Sequence, residues 1–221
     1  MTQLKKYKWA LLVLALHLAA TLWFAGQLPA DTRVPTHWNI HNEIDGWSGK
    51  TFGLWWGLAL NAIMFLALWL LPWYSPWYRK YEERFDAVLP PLTTTLVFFF
   101  ALISVYALAV AKWGDIGQVN MILILMGLLC VLLGNLLPKV PKNFFIGIKT
   151  PWTLSNEEVW NRTHRLGGIL FVLAGLLLML KGLILPKHSG FQVWSAVLSL
   201  GLMLYPVLHS FILFKRLGKD G

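Results

Sequence analysis

Six apolar runs, at about 8–28, 52–72, 90–112, 119–137, 166–185 and 191–213, divide this chain. Each is close to the roughly 20 residues an α-helix needs to cross a hydrocarbon core. No water is present at that depth, so a spanning segment must satisfy its own backbone hydrogen bonds, and a helix does so. The expected fold class is therefore all-α: a polytopic membrane protein with six transmembrane helices, forming a single membrane domain over 1–221. Charged residues make up 13% of the chain and hydrophobic ones 57%, where soluble domains carry roughly 25% charged residues. The first run is not expected to be a cleaved signal peptide. Its apolar stretch is too long, and no small-x-small site precedes Pro29.

Lys and Arg set the expected orientation. With the N-terminus in the cytoplasm, that side holds fourteen of them: Lys5, Lys6, Lys8, Arg79, Lys80, Arg84, Lys139, Lys142, Lys149, Arg162, Arg165, Lys215, Arg216 and Lys219. The other side holds five: Arg33, Lys50, Lys112, Lys181 and Lys187. This bias predicts N-in, C-in. It also accounts for the net charge of +9 as a basic membrane face, so direct nucleic-acid binding is not expected.

Three connections are long: an extracytoplasmic loop at 29–51, a cytoplasmic interfacial loop at 73–89 and a cytoplasmic motif loop at 138–165. Tight turns are expected near 113–118 and 186–190. Two three-helix halves, each with a long loop after its first helix, have the outline of an inverted repeat, although their second loops differ in length. Trp and Tyr gather at run ends, including Trp9, Trp23, Trp73, Tyr74, Trp113 and Trp194, as in an interfacial aromatic belt. The loop 73–89 continues into the mixed-charge stretch Arg79–Asp86, expected to be a solvated interfacial helix. Cys130, the single cysteine, lies within an apolar run and is expected to be packing or lipid-facing.

Residues 35–50 read PTHWNIHNEIDGWSGK. On a helix, His37 and His41 would share a face and could hold zinc. Pro35, Asn39, Asn42 and the Asp45–Gly46 pair favour turns instead. The expected form is a structured cap, with His37 and Asn39 hydrogen-bonding the loop, Asp45–Gly46 making a turn, and no metal or other cofactor.

Residues 147–165 read GIKTPWTLSNEEVWNRTHR. Ser155 and Glu158 fit a capping box, so a helix is expected to start near Ser155. On it, Glu158 and Arg162 stand four apart in the favourable order, as do Trp160 and His164. One face is charged and the other aromatic. Two readings stay open: an interfacial helix with a Trp anchor and a salt bridge, or a recognition surface at the cytoplasmic mouth of the bundle.

Catalysis finds little support. No GxSxG, P-loop or GxGxxG is present. The spans carry almost no ionisable residue at mid-depth, where transport paths usually place them. His17, Asn61 and Asn135 are the nearest candidates, and such residues more often bond neighbouring helices.

Gly147, Ile148, Lys149, Thr150, Pro151, Trp152, Thr153 and Leu154, followed by Val159, Trp160, Thr163, His164 and Arg165, resemble the signature of SdpI-type membrane proteins. Pro35, His37, Trp38, Asn39, Asp45, Gly46 and Lys50 resemble the small domain of unknown function that precedes it in many members. Asn42 stands where that pattern usually has Gly. The resemblance implies a multi-pass protein of a bacterial cytoplasmic (inner) membrane. Such a protein gives immunity to a secreted membrane-active peptide toxin and draws a cytoplasmic transcriptional repressor to the membrane. It implies no cofactor and no catalytic residue. Expected partners are thus membrane lipid, a peptide toxin and a repressor. Candidate binding residues are His37, Asn39, Asp45 and Lys50 outside, and Lys149, Thr150, Pro151, Trp152, Trp160, Arg162, His164 and Arg165 inside. The alternatives are a small transporter or channel, and a metal-dependent membrane enzyme centred on His37, His41, Glu43 and Asp45.

Overall fold

The computed structural model describes residues 3–39, 43–114, 119–184 and 191–217. Its six long helices are α1 (Lys8–Gln27), α2 (Lys50–Trp69), α3 (Glu82–Trp113), α4 (Met121–Leu136), α5 (Glu157–Ile184) and α6 (Phe191–Leu217). All six are long and apolar enough to cross a membrane, and the protein is a mostly helical, multi-pass membrane protein. Most of the apolar side chains left on their surfaces, such as Leu16, Ile63, Leu176 and Leu208, need lipid around them rather than water. His41, Asn42, Lys187, Lys219 and most of the two connections expected to be tight turns lie outside the described residues.

The expected boundaries differ in two places. The mixed-charge stretch does not form a separate interfacial helix. Arg79 and Lys80 close a one-turn helix, Pro76–Lys80, and Glu82–Asp86 open α3, which starts at Glu82 and runs through Pro90 and Pro91. These prolines deprive the carbonyls of Asp86 and Ala87 of their helical donors. Ala87 is exposed and Asp86 half-buried, so the loss falls at the polar end of the helix, where it is least costly. Before α3 come two one-turn helices, Leu71–Tyr74 and Pro76–Lys80. The second difference is the loop 29–51, which contains a β-hairpin.

That hairpin pairs β1 (Arg33–Trp38) antiparallel with β2 (Ile44–Gly49). The expected Asp45–Gly46 turn is not formed, because both residues lie within β2. Gly46 stands opposite His37, with register shifts on both sides of that histidine. A Cβ on Gly46 would come within 2.8 Å of the His37 Cβ, so glycine lets the irregular strands close. The hairpin is anchored by Val34, buried with Phe24, Leu28, Leu54, Ala107 and Leu108 from α1, α2 and α3 and the turn after α1.

The helices form two groups of three, joined where α3 meets α4. In the first group, α3 packs on both α1 and α2, which also touch each other. A buried polar node fixes this trio. Asn61 Nδ2–H donates to His17 Nδ1 (3.1 Å) and to the Val97 carbonyl (3.0 Å). His17 and Asn61 thus bond helices together, as their position in apolar runs suggests. Asn135 instead donates to the Val131 carbonyl of its own helix (2.8 Å). Cys130 is buried.

In the second group α5 is central, packing on α4 and α6. The halves are therefore not packed alike, since the hub is the third helix in one and the second in the other. Glycines make the α4–α5 contact. Gly134 faces Gly168 and Gly127 faces Gly175; an added Cβ at Gly134 would lie 2.7 Å from the Gly168 carbonyl oxygen. Without a hydrophobic drive between helices in lipid, close backbone approach of this kind supplies the dispersion contact that holds them.

Candidate functional site

The residues singled out in the sequence fall at opposite ends of the bundle. One set builds a clasp between α4 and α5; the other lies on the hairpin.

The clasp begins where α4 gives way to a 3₁₀ turn, Leu137–Lys139. The next residues form no regular element, so side chains must satisfy their backbone. Asn143 does this from a buried position. Its Nδ2 donates to the carbonyls of Pro141 (2.7 Å) and Ile146 (3.1 Å). Its Oδ1 accepts from the amides of Phe145 (2.7 Å) and Ile146 (2.8 Å). This uses the whole capacity of the amide. Phe144 and Phe145 turn outward, edge-on to Trp77 and Tyr74 at ring separations of 5.3 and 5.6 Å. The two long loops on this end thereby meet.

Gly147 follows at φ 115°, a conformation that side-chain-bearing residues rarely adopt. It passes directly over the ring of His164, with Trp160 alongside. The next amide, Ile148 N–H, donates to His164 Nε2 (3.0 Å), and His164 Nδ1–H donates to the Trp160 carbonyl (2.8 Å). The two bonds fix the tautomer, with the proton on Nδ1. Trp160 stacks on His164 at 4.0 Å between ring centroids, and its Nε1–H donates to the Val140 carbonyl (2.9 Å). Both rings are fully buried. The i, i+4 pair seen in the sequence is real, and it faces the returning loop.

A second lock follows. Thr150 caps the short helix Pro151–Ser155 in a reciprocal capping box with Thr153. Thr153 Oγ1–H donates to the Ile148 carbonyl (2.9 Å). The Thr150 hydroxyl lies 3.2 Å from that of Ser210 on α6, and Trp152 packs edge-on against Phe211 (5.1 Å). The expected cap at Ser155 is not formed. Its hydroxyl turns back to the Trp152 carbonyl (3.0 Å), and Asn156 caps α5, accepting from the amides of Glu158 (2.8 Å) and Val159 (3.1 Å). One residue further on, Asn places its oxygen where the first free amides point. The Glu158–Arg162 ion pair is formed.

The eight inner candidate residues thus come together and divide by exposure. Thr150, Trp160 and His164 are buried within the clasp, and Trp152 is half-buried. Lys149, Pro151, Arg162 and Arg165 are exposed. Lys149 Nζ donates to the carbonyls of Phe144 (3.2 Å) and Phe145 (3.3 Å). The cationic groups therefore stand on a surface that the buried residues hold in shape. Nearby, Asp86 accepts from Lys6 and from the Tyr78 hydroxyl, each at 2.5 Å, tying the N-terminal segment to α3. Burial and this carboxylate push the Tyr78 phenol well above its ordinary range and Tyr7 up to about 12, so both stay protonated.

On the hairpin, His37 Nδ1–H donates to Asp45 (2.5 Å) and Asn39 Nδ2–H to Glu43 (2.9 Å). Lys50 Nζ donates to the Leu28 carbonyl (2.5 Å), stitching the start of α2 to the end of α1. His37, Asn39 and Asp45 hold the hairpin together, and Lys50 ties the helices at its base. Among the described residues, no three His, Cys, Asp or Glu side chains gather as a metal site would require, and His37, whose proposed partner His41 lies outside them, takes Asp45. Asn143, Gly147 and Asn156 are not among the site residues expected from the sequence. The signals were present: an Asn between Pro and two Phe, and a Gly one residue before an amide that must find a distant acceptor.

Residues 139–212 match the model of the SdpI/YfhL protein family. Residues 12–62 match that of a domain of unknown function, DUF1648. Immunity protein SdpI of Bacillus subtilis (strain 168) is 33% identical over 64 residues, which are 28% of this chain and 31% of that protein. The match thus spans about a third of the relative. No solved structure matches. The resemblance read from the two sequence segments is borne out by these matches.

Proposed function

We propose that this chain, which carries an SdpI/YfhL family segment behind a DUF1648 segment, is a bacterial membrane immunity protein. It protects the cell membrane against a secreted, membrane-active peptide. The hairpin end faces outward and meets the peptide. The clasp end faces the cytoplasm and holds a transcriptional repressor there while peptide is present. The bias of Lys and Arg toward the clasp end supports this orientation.

The observation that carries the reading is the extent of the family segment. Residues 139–212 contain the whole clasp from Val140 onward, all of α5 and most of α6. In this chain the matched segment forms a unit in which a loop is locked onto two helices. Such a unit can bias a partner site at one end by small shifts of helices that reach the other. The exposed cations Lys149 and Arg165 give that end the charge to receive an acidic protein surface. The buried His164 has both ring nitrogens committed to structure, so it supports a scaffold and not acid–base chemistry.

The experiment is a strain lacking the gene, challenged with a panel of membrane-active peptides, with and without the gene restored. Protection that follows the gene supports the reading; equal killing in both strains for every peptide refutes it.

A further inference from the structure

Between the hairpin and the adjoining halves of α2 and α3 lies a cleft of about 350 Å³. Its walls include Trp47 of β2, Phe52, Trp56 and Leu60 of α2, and Phe100 and Ser104 of α3. Phe52 to Leu60 is eight steps of helix, so the cleft extends about 12 Å along α2 at 1.5 Å per residue. It is open sideways along that length: Phe52, Trp56 and Leu60 are 51, 49 and 39% exposed. Its back wall is closed where α2 and α3 approach closely, since a Cβ on Gly57 would overlap Ser104.

The chemistry changes along this depth. The deep part is apolar and faces hydrocarbon. The mouth carries the hydroxyl-bearing Thr36 and Ser48, and the Arg33 guanidinium lies 5.9 Å from the centre of the Trp47 ring. Arg33 is exposed. Among the described residues, the other charged groups of the hairpin are engaged: His37 with Asp45, Glu43 with Asn39, and Lys50 with the Leu28 carbonyl. A flexible apolar chain enters such a cleft from the side, and an anion at headgroup depth meets a guanidinium suited to phosphate.

We propose that this cleft is a binding site for one anionic phospholipid of the leaflet on the hairpin side. One acyl chain lies along Phe52, Trp56 and Leu60, and the phosphate sits on Arg33. The site is independent of the immunity reading, since it rests on the shape and charge of the hairpin end alone. It makes the hairpin's seating on α2 and α3 a composite of protein and lipid.

The test uses the full-length protein in nanodiscs containing a phosphatidylglycerol with a photoactivatable acyl chain. After irradiation, adducts are mapped by mass spectrometry while the mole fraction of the labelled lipid is raised. Adducts at 47–60 and 100–107 are expected to saturate at low mole fraction, while those on other lipid-facing surfaces rise in proportion. Leu60→Trp, which fills the cleft, is expected to lose the saturable adducts. Ile63→Trp, one turn away on α2 and 60% exposed, is expected to keep them. Arg33→Gln is expected to lower saturable labelling several-fold. Labelling of the cleft that rises in proportion, as elsewhere, overturns the proposal using the wild-type protein alone. Equal cleft labelling in Leu60→Trp and wild type overturns the placement of the chain. Labelling unchanged in Arg33→Gln overturns the phosphate contact.

Discussion

Replacing Gly147 by Ala should open the clasp without unfolding the bundle. Two costs combine. At φ 115°, a residue with a side chain is strained by about 1–3 kcal/mol. Its Cβ would also overlap His164 Nε2 and come within 3.2 Å of the Trp160 ring. Relief requires the loop to lift, which breaks the Ile148 N–H bond to His164 and leaves a buried acceptor unsatisfied at about 1–3 kcal/mol. The sum is about 2–6 kcal/mol. It acts on a local opening, because the helices pack through other residues. The readout is hydrogen exchange of the amides of Phe145, Ile146 and Ile148, each bonded to a buried side chain of the clasp. At the low end these amides should exchange about thirtyfold faster, with α2 and α3 unchanged. Gly26→Ala is the control, since nothing lies within 4 Å of its added Cβ; it should leave the clasp unaffected. Exchange of Ile148 as slow in Gly147→Ala as in wild type would refute the close passage of the loop over His164.

Asn156→Ala should remove the cap of α5, costing about 1 kcal/mol, whereas Ser155→Ala should be close to neutral; thermal unfolding in detergent compares the two. Gly168→Ala and Gly175→Ala should destabilise the protein by forcing α4 and α5 apart, while Gly201→Ala, whose Cβ meets nothing within 4 Å, should be neutral or slightly stabilising. The same unfolding assay reads this contrast, and equal effects would mean that the glycine seam carries no packing. Topology reporters fused after Lys50 should report the outside, and those after Lys142 and Gly221 the cytoplasm; an external signal after Lys142 would reverse the proposed roles of the two ends.

The six spans were legible because lipid leaves one economical solution for about 20 consecutive apolar residues. Their ends were less so. The loop expected over 73–89 gives way to an apolar run at 90, yet α3 starts at Glu82 and passes through Pro90 and Pro91, because the affected carbonyls lie at its polar end. Ser155 and Glu158 matched a capping pattern, yet Asn156 competes for the same amides with a better-placed oxygen. The hairpin escaped notice because its strands are short and shifted around His37, so no period of two was visible. The Glu158–Arg162 and Trp160–His164 pairs were readable as local spacing. The partner of His164 was not: it is an amide 16 positions away, brought in by a turn that depends on Asn143 and Gly147. The glycine seam shows in the sequence only as a spacing of seven in two separate helices. It gains meaning once those helices are known to face each other.

Protection of the membrane is proposed to run through the unit built on the clasp. Its most direct test is a killing curve of the gene-deleted strain against membrane-active peptides, carrying no gene, the wild type or Gly147→Ala, at matched membrane abundance. The wild type should restore survival against at least one peptide, and Gly147→Ala should not. Identical curves for all three strains against every peptide would contradict it.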